Sequence, residues 1–235
     1  MSNQEFSDKF DVLVNAFNVE QGFGKQDYLS FDEYEKSVFL TQALGELVIS
    51  FYDGKNQYGN LFERTEEDRR FLNALVKTST IDEEYQISPS PSLNTPYSHL
   101  FRLPSDTLFV TYEQVIFNST DASVNGKTAL VVPVAQDDYY KTVENPFRGP
   151  NKKRVLRLDI KGNVVELISK YPIGAYQVRY VAKPNPIILV DLPGDLEIWG
   201  KNMESMCDLN DATHEWILTR AVQLAIGSRN VGANK

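Results

Sequence analysis

Residues 30–52 read SFDEYEKSVFLTQALGELVISFY, and this stretch predicts the central helix of the protein. Its length corresponds to about six turns of α-helix at 3.6 residues per turn. Ser30 and Glu33 have the spacing of a capping box, in which each side chain pairs with a free backbone N–H at the start of a helix. One face of the helix is apolar, with residues that recur at helical spacing: Leu40, Leu44, Leu47 and Phe51.

The adjoining face of the same helix is apolar as well. A helix that is apolar around most of its circumference has to be surrounded by other residues. Gly45 costs about 1 kcal/mol relative to Ala in a helix interior, so we expect it to allow the close approach of another backbone. One small domain is not expected to cover both faces, and a neighbouring subunit is predicted to cover the second. The residues assigned to this subunit contact are Tyr34, Val38, Gly45, Val48 and Tyr52.

The rest of the chain has a helix, sheet, helix order. Apolar spacing predicts helices over residues 5–18 and 66–77, and a last helix that begins at Asp211 or Thr213 and ends near Gly227. Residues rich in β-branched and aromatic side chains predict a strand over 107–118, and a short apolar run predicts one over 128–134. Alternation predicts strands over 153–160, with Arg157 and Asp159 opposite the apolar residues, and over 175–182. A turn at 161–163 leads into a further strand over 164–169. The last three strands are joined by short connections, which predicts an antiparallel meander.

The predicted fold class is therefore α+β: a helical bundle built from the N-terminal helices and the C-terminal helix, with an inserted antiparallel β-rich lobe. The helical domain is predicted to comprise residues 1–77 and 191–227. Residues 78–190 are predicted to form the β-rich insertion, and residues 228–235 a flexible tail.

Composition excludes several classes of protein. The chain has 235 residues, of which 42% are hydrophobic and 24% charged, the balance of a globular protein. Its 24 basic and 32 acidic residues give a net charge of −8, which argues against a dedicated duplex-DNA binder. No apolar run is long enough for a membrane span. The first ten residues, MSNQEFSDKF, lack the features of a secretory signal, and the single Cys207 fits a reducing cytoplasm.

No catalytic or cofactor-binding pattern is present, so the chain is predicted not to be an enzyme and to bind no cofactor or metal. His99 and His214 are the only histidines, and neither has a metal ligand at a typical spacing. The simplest interpretation gives both a surface or capping role. Glycine-rich phosphate loops and nucleophile-elbow motifs do not occur.

Basic residues are concentrated between positions 148 and 157. One interpretation is a solvated turn that leads into a strand. The other is a docking surface for an acidic neighbour or a transient contact with nucleic acid. The residues assigned to this surface are Arg148, Lys152, Lys153, Arg154 and Arg157.

Several phrases of the sequence resemble virion structural proteins of crAss-like bacteriophages. They are DEYEKSVFLT at 32–41, NPFRGP at 145–150, RVLRL at 154–158 and KPNPIIL at 183–189, together with CDLN at 207–210 followed by His214. The resemblance implies a ring protein of the head-to-tail connector, present in about twelve copies around the DNA channel. It implies contacts with the portal protein and with neighbouring ring proteins, while genomic DNA passes through without specific binding. It also implies assembly in the host bacterial cytoplasm and a place in the virion, away from any membrane.

Two alternatives of other classes stay open at this stage. The basic residues could serve a nucleic-acid-binding accessory module. A tail-associated enzyme that degrades the cell wall is the third hypothesis, but the adjacent carboxylates of the β-rich lobe point to opposite faces if they are extended.

Overall fold

A computed structural model describes residues 1–20, 29–52, 70–85 and 98–233. The chain belongs to the α+β class, in agreement with the prediction. It divides into two compact units, which we call the helical unit (Met1–Leu75 and Pro184–Lys235) and the sheet unit (Val76–Lys183). The strip at 184–190, which the sequence pattern assigned to the β-rich lobe, lies in the helical unit.

The described helices are labelled in chain order. The helical unit contains α1 (Asn3–Glu20), α2 (Glu33–Tyr52) and α4 (His214–Ala233), and the sheet unit contains the short α3 (Tyr139–Val143). Helix α2 packs against α4, and α1 packs against both. Their contact is built from fully buried apolar side chains, among them Phe6, Phe10, Leu40, Leu44, Ile217 and Leu218.

The capping box of α2 lies two residues later than predicted. The Asp32 carboxylate accepts from the backbone N–H of Glu35 at 2.7 Å, and the Glu35 carboxylate accepts from the N–H of Asp32 at 3.2 Å. Asp32 therefore starts the helix, and the Ser30 and Glu33 assignment is wrong. Glu33 instead accepts hydrogen bonds from Ser7 and Lys36.

A buried ammonium group connects α1 with α2. Lys36 is almost fully buried, and its Nζ donates to Ser7 Oγ at 2.9 Å, Asp11 Oδ2 at 2.7 Å and Glu33 Oε1 at 2.9 Å. An ammonium has three hydrogens to donate, so each has an acceptor. Burial acts to lower the pKa of Lys36, but hydrogen bonds and charge from Asp11 and Glu33 outweigh it and raise the pKa.

Helix α4 begins and ends differently from the prediction. The Asn210 side chain accepts from the N–H of Ala212 and caps a 3-10 turn at Asp211–Thr213, so the cap is neither Asp211 nor Thr213. The helix then continues through Gly227 to Ala233. The predicted stop at Gly227 is wrong, and most of the predicted flexible tail is helical.

The predicted third helix is largely outside the described residues. Residues 70–72 are helical and lead through a 3-10 turn, Asn73–Leu75, into a strand that begins at Val76. The predicted end at Lys77 is therefore wrong. Phe71 is buried as expected, stacked on Phe51 at 5.3 Å between ring centroids and edge-on to Trp216 at the same distance.

The sheet unit contains one seven-stranded sheet with the order β1-β7-β3-β4-β5-β6-β2. The strands are β1 (Val76–Ile81), β2 (Ser98–Arg102), β3 (Thr107–Phe117), β4 (Thr128–Pro133), β5 (Arg154–Ile160), β6 (Val164–Ile168) and β7 (Ile173–Ala182). Strands β4 and β5 pair in parallel, whereas the other neighbours are antiparallel. The predicted antiparallel arrangement is therefore wrong for β4 and β5. Helix α3 lies in the connection between these two strands.

The predicted meander of the last three strands is correct only for its first pair. Strands β5 and β6 are antiparallel neighbours, but β6 pairs next with β2. Strand β7 instead lies between β1 and β3, and pairs with β3 from Thr107 opposite Ala182 to Phe117 opposite Ile173. Because of this long pairing with β3, strand β7 does not pair with β6, its neighbour in sequence.

A buried ionic cluster lies within the core of the sheet unit. Arg157 Nη1 is 2.7 Å from Glu113 Oε1, and the buried Tyr176 hydroxyl donates to the same carboxylate. Burial and the charge of Glu113 raise the pKa of Tyr176, so the phenol stays protonated. Burial acts to lower the pKa of Arg157, but Glu113 outweighs it and raises the pKa. Arg157 is therefore a structural residue of the sheet core.

We expect Glu113→Gln to destabilise the sheet unit by about 3 kcal/mol, because it leaves the Arg157 charge without its buried partner. Asp159→Asn is the matched control, since Asp159 contacts the same guanidinium but is exposed. It should cost less than about 1 kcal/mol. Urea denaturation followed by far-UV circular dichroism measures both, and equal costs would show that the buried pair is unimportant.

Candidate functional site

The second face of α2 is covered by an extended strip of the same chain. The backbone of residues 187–189 runs along the helix, and side chains of α2 provide its hydrogen-bond partners. Ile187 N–H donates to Thr41 Oγ1 at 3.0 Å, and Thr41 Oγ1 donates to Ile187 O at 3.1 Å. Leu189 N–H donates to Ser37 Oγ at 3.0 Å. Two hydroxyl groups thus replace the neighbouring strand that an extended segment normally requires.

The other side of the strip is paired as well. Ile188 and Ser205 exchange two backbone hydrogen bonds, at 3.1 and 3.0 Å, and Leu192 N–H donates to Asn202 O at 2.8 Å. Asn3 Nδ2 of α1 donates to Ile188 O at 3.2 Å. The strip is therefore held from two sides and returns on itself as a hairpin-like segment, residues 187–205.

Apolar contacts complete the cover. Ile188, Leu192 and Ile198 form a buried cluster, and Tyr34 and Val38 of α2 pack against it. A Cβ atom at Gly45 would lie 3.3 Å from the Trp199 indole. Gly45 therefore leaves room for the side chain of Trp199, whereas the sequence predicted the close approach of another backbone.

The premise that only a neighbouring subunit could cover the second face of α2 is therefore wrong. Val48 is fully buried within the chain, and Tyr34 and Val38 are partly buried. Tyr52, near the end of α2, keeps 41% of its surface exposed. The assignment of these residues to a subunit contact stays a prediction.

The structure separates the five basic residues into two groups. Arg157 belongs to the buried ionic cluster, and Arg154 Nη1 donates to Phe147 O at 3.0 Å. Arg148, Lys152 and Lys153 are exposed, and none of them has a carboxylate within ion-pair distance in the described part of the chain. Lys152 Nζ donates to Ser123 Oγ at 2.7 Å. Three of the five cations are therefore available to a partner.

Exposed apolar side chains identify surface that the sequence analysis did not assign. Phe147, beside the free cations, has 86% of its surface exposed. Within the hairpin-like segment and the residue after it, the exposed large side chains are Val190, Leu196, Trp199, Met203 and Met206. Their concentration in one segment is unusual for a solvated surface. Periodicity could not reveal them, because neither region is a regular helix or strand.

The described residues offer no constellation for metal binding or catalysis. No group of three His, Cys, Asp or Glu residues within them could hold a metal ion. His99 pairs with Glu84. His214 is buried, contacts the Phe6 ring at 5.2 Å and bonds Leu209 O at 3.1 Å, so the predicted surface role is wrong for it. Burial lowers the pKa of His214 and raises that of Cys207 to about 11.

None of the helices in the described ranges combines the length and hydropathy that a bilayer span requires.

Comparison with known proteins identifies the class. A family model described as phage tail ring protein 3/4 matches residues 1–235, and the chain belongs to this family of structural virion proteins. It is 48% identical to Ring protein 3 of Bacteroides phage crAss001 over 231 residues, which is 97% of this chain and 96% of the relative. It is 32% identical to Ring protein 4/5 of the same phage over 235 residues, 96% and 92% of the two chains. The resemblance to crAss-like phage virion proteins is confirmed, and the chain is a structural protein, not an enzyme.

We expect Thr41→Val to destabilise the helical unit by about 2–6 kcal/mol. Valine has the same shape but leaves the N–H and C=O of Ile187 buried and unpaired, at about 1–3 kcal/mol for each group. Thr41→Ser keeps the hydroxyl and should cost about 1 kcal/mol for the lost methyl group. Trp fluorescence during urea denaturation measures this unit, since Trp199 and Trp216 both belong to it. Equal free energies of unfolding for the Val and Ser variants would contradict the role of the hydroxyl group.

Proposed function

We propose that copies of this chain form a ring of about twelve subunits in the head-to-tail connector of a phage virion. The observation that carries the proposal is the family match along residues 1–235, with two aligned relatives that are both ring proteins. In this proposal the ring surrounds the DNA channel, contacts the portal protein and neighbouring ring proteins, and assembles in the host bacterial cytoplasm.

The charge of the chain supports a passive channel. A net charge of −8 per copy gives an assembled ring a strongly negative field. Such a wall repels phosphate groups, so genomic DNA passes through without specific binding. Most of this repulsion acts within about 10 Å of the wall at moderate ionic strength.

The division of the chain supports a specific architecture for each copy. The helical unit is formed by two segments that flank the sheet unit in sequence. We propose that the helical unit is a bundle of the N-terminal helices and the C-terminal helix, into which the sheet unit is inserted. An inserted lobe can vary in its loops without disturbing the helices, which suits a protein that meets different neighbours in a stack.

The proposal predicts that the purified chain forms rings, or that it stays monomeric and joins a complex of portal and neck proteins. Mass photometry gives the copy number, and negative-stain electron microscopy shows whether the particles are annular. A chain that remains a monomer and binds no portal or neck protein would contradict the proposal.

The exposed side chains of Arg148, Lys152 and Lys153 favour a second candidate function, which is transient contact with nucleic acid. Arg148→Glu combined with Lys152→Glu and Lys153→Glu should then abolish a DNA mobility shift at low salt, since phosphate binding depends on such cations. The control reverses three other exposed lysines of the sheet unit, Lys161, Lys170 and Lys183, with the same change in net charge. A missing shift in the unchanged protein, or equal loss in both variants, would exclude a DNA contact at this surface.

A further inference from the structure

The basic loop, residues 145–154, presents an aromatic side chain in a fixed position. The Asn145 carboxamide oxygen accepts from the N–H groups of Phe147 and Arg148, at 2.9 and 3.1 Å. The Asn151 carboxamide oxygen accepts from the N–H of Lys153 at 2.8 Å. Phe147 is almost fully exposed on this loop, next in sequence to the exposed Arg148.

Gly149 explains why the loop keeps this shape. Its N–H donates to Asn145 O at 2.7 Å, and a Cβ atom at this position would lie 2.7 Å from Val143 O and 2.8 Å from Asn145 O. Only glycine fits without moving the backbone. A large aromatic side chain exposed on a rigid loop binds a partner with little further loss of conformational entropy.

A complementary surface lies on the helical unit. An open groove of about 480 Å³ runs along α2 and is bordered by residues 197–199 of the hairpin-like segment. Its apolar walls include Val38 and Ile198, and it has an aromatic side chain at Tyr34 and at Trp199. Trp199 has a φ of +51°, a conformation uncommon for a bulky residue. Two hydrogen bonds between Ile198 and Lys201, at 2.8 and 3.1 Å, hold it there.

The charge of the groove is opposite to that of the loop. Glu46 and Glu197 line it, and Glu46 already pairs with Arg220 at 2.7 Å. Glu197 is exposed and forms no ion pair among the described residues, and Asp195 is exposed beside it. The groove therefore offers apolar walls with the exposed carboxylates of Glu197 and Asp195, and the loop offers an exposed aromatic side chain and exposed cations.

We propose that Phe147 of one copy inserts into the groove between α2 and Trp199 of the next copy. The inference rests on the proposed ring, and it names the contact that joins neighbouring subunits. Two different surfaces of one chain form a head-to-tail contact, which closes into a ring when the rotation is suitable. A buried Phe removes about 150–250 Å² of surface from water, and stacking on Trp199 or Tyr34 adds to this. Lys153 and Arg148 then face Glu197 and select the orientation.

The first test is photo-crosslinking from position 147. The photoreactive amino acid p-benzoylphenylalanine replaces Phe147 in the full chain, in whichever assembly forms, either rings alone or a complex with neck proteins. Mass spectrometry should find adducts within residues 34–46 or 197–199 of a neighbouring copy. Adducts to DNA, to another protein or elsewhere on the chain would overturn the proposal.

The second test separates binding from folding. Phe147→Ala should raise the apparent dissociation constant of the assembly at least tenfold, as expected for an aromatic anchor at a contact. Tyr140→Ala is the control, because Tyr140 is a similarly exposed aromatic residue in α3, outside the loop. Lys153→Glu and Glu197→Lys should each weaken assembly, and the double variant should restore it. Failure of the double variant to recover would show that these charges do not meet.

Mixing variants tests the head-to-tail geometry. A Phe147→Ala copy keeps its groove, and a Glu197→Lys copy keeps its Phe147, so together they have one intact contact. The mixture should form pairs but no rings, and rings in the mixture would overturn the proposal. If the unchanged chain assembles and Phe147→Ala has no effect, this contact is wrong and the ring stands. If the unchanged chain neither assembles nor binds neck proteins, the ring itself is wrong.

Discussion

The fold of the helical unit depends on the hydrogen bonds that two hydroxyl groups of α2 make with an extended backbone. The strip at 187–189 is buried, and a buried backbone N–H or C=O without a partner costs about 1–3 kcal/mol. Thr41 serves both groups of Ile187, and Ser37 serves Leu189. With these groups paired, the strip can lie on α2 and bring Ile188, Leu192 and Ile198 against the apolar side of the helix. The internal cover of α2 follows from this arrangement.

Helix α2 itself was predictable, but its cover was not. Its apolar residues predicted burial on two sides; the first face is buried, and the second is buried at Val48 and partly buried at Tyr34 and Val38. The sequence did not reveal that the chain itself supplies a cover, because Ile187 of the strip lies 146 residues away from Thr41 in sequence. A hydroxyl that binds backbone groups leaves no periodic signal, so Ser37 and Thr41 looked like ordinary helix residues. The predicted starts of these helices were wrong for a related reason. Asn210 and Asp32 each lie among several residues that can cap a helix, and the sequence does not distinguish between them.

The sheet shows what local pattern can and cannot determine. Alternation located most strands of the sheet unit, and the turn at 161–163 correctly paired β5 with β6. It could not place β7, whose position depends on the long pairing with β3. It also placed Arg157 on a solvent face, although the side chain is 11% exposed and its Nη1 lies 2.7 Å from Glu113 Oε1. A charge in a strand can therefore belong to the core, and only the partner on another strand reveals it.

The two surfaces predicted from the sequence, the second face of α2 and the basic residues between 148 and 157, have different environments in the structure. The α2 face is filled from within, yet the residue that fills it, Trp199, forms one wall of an open groove. Of the basic residues, Arg157 and Arg154 stabilise the chain itself, whereas Arg148, Lys152 and Lys153 remain at the surface. Phe147 was visible in the sequence only as part of a family phrase, because exposure on an irregular loop cannot be read from spacing. In the proposed ring, subunits contact each other through surface that stays exposed after the hairpin-like segment has covered α2.

Hydrogen–deuterium exchange of α2 distinguishes cover by the chain itself from cover by a neighbouring subunit. The measurement compares amides 37–48 in dilute, dissociated copies with those in the assembled ring. Strong and nearly equal protection is expected in both states, because the chain covers α2 itself. Rapid exchange in the isolated copy, with protection gained only on assembly, would show that neighbouring subunits cover the helix and would contradict cover by the chain itself.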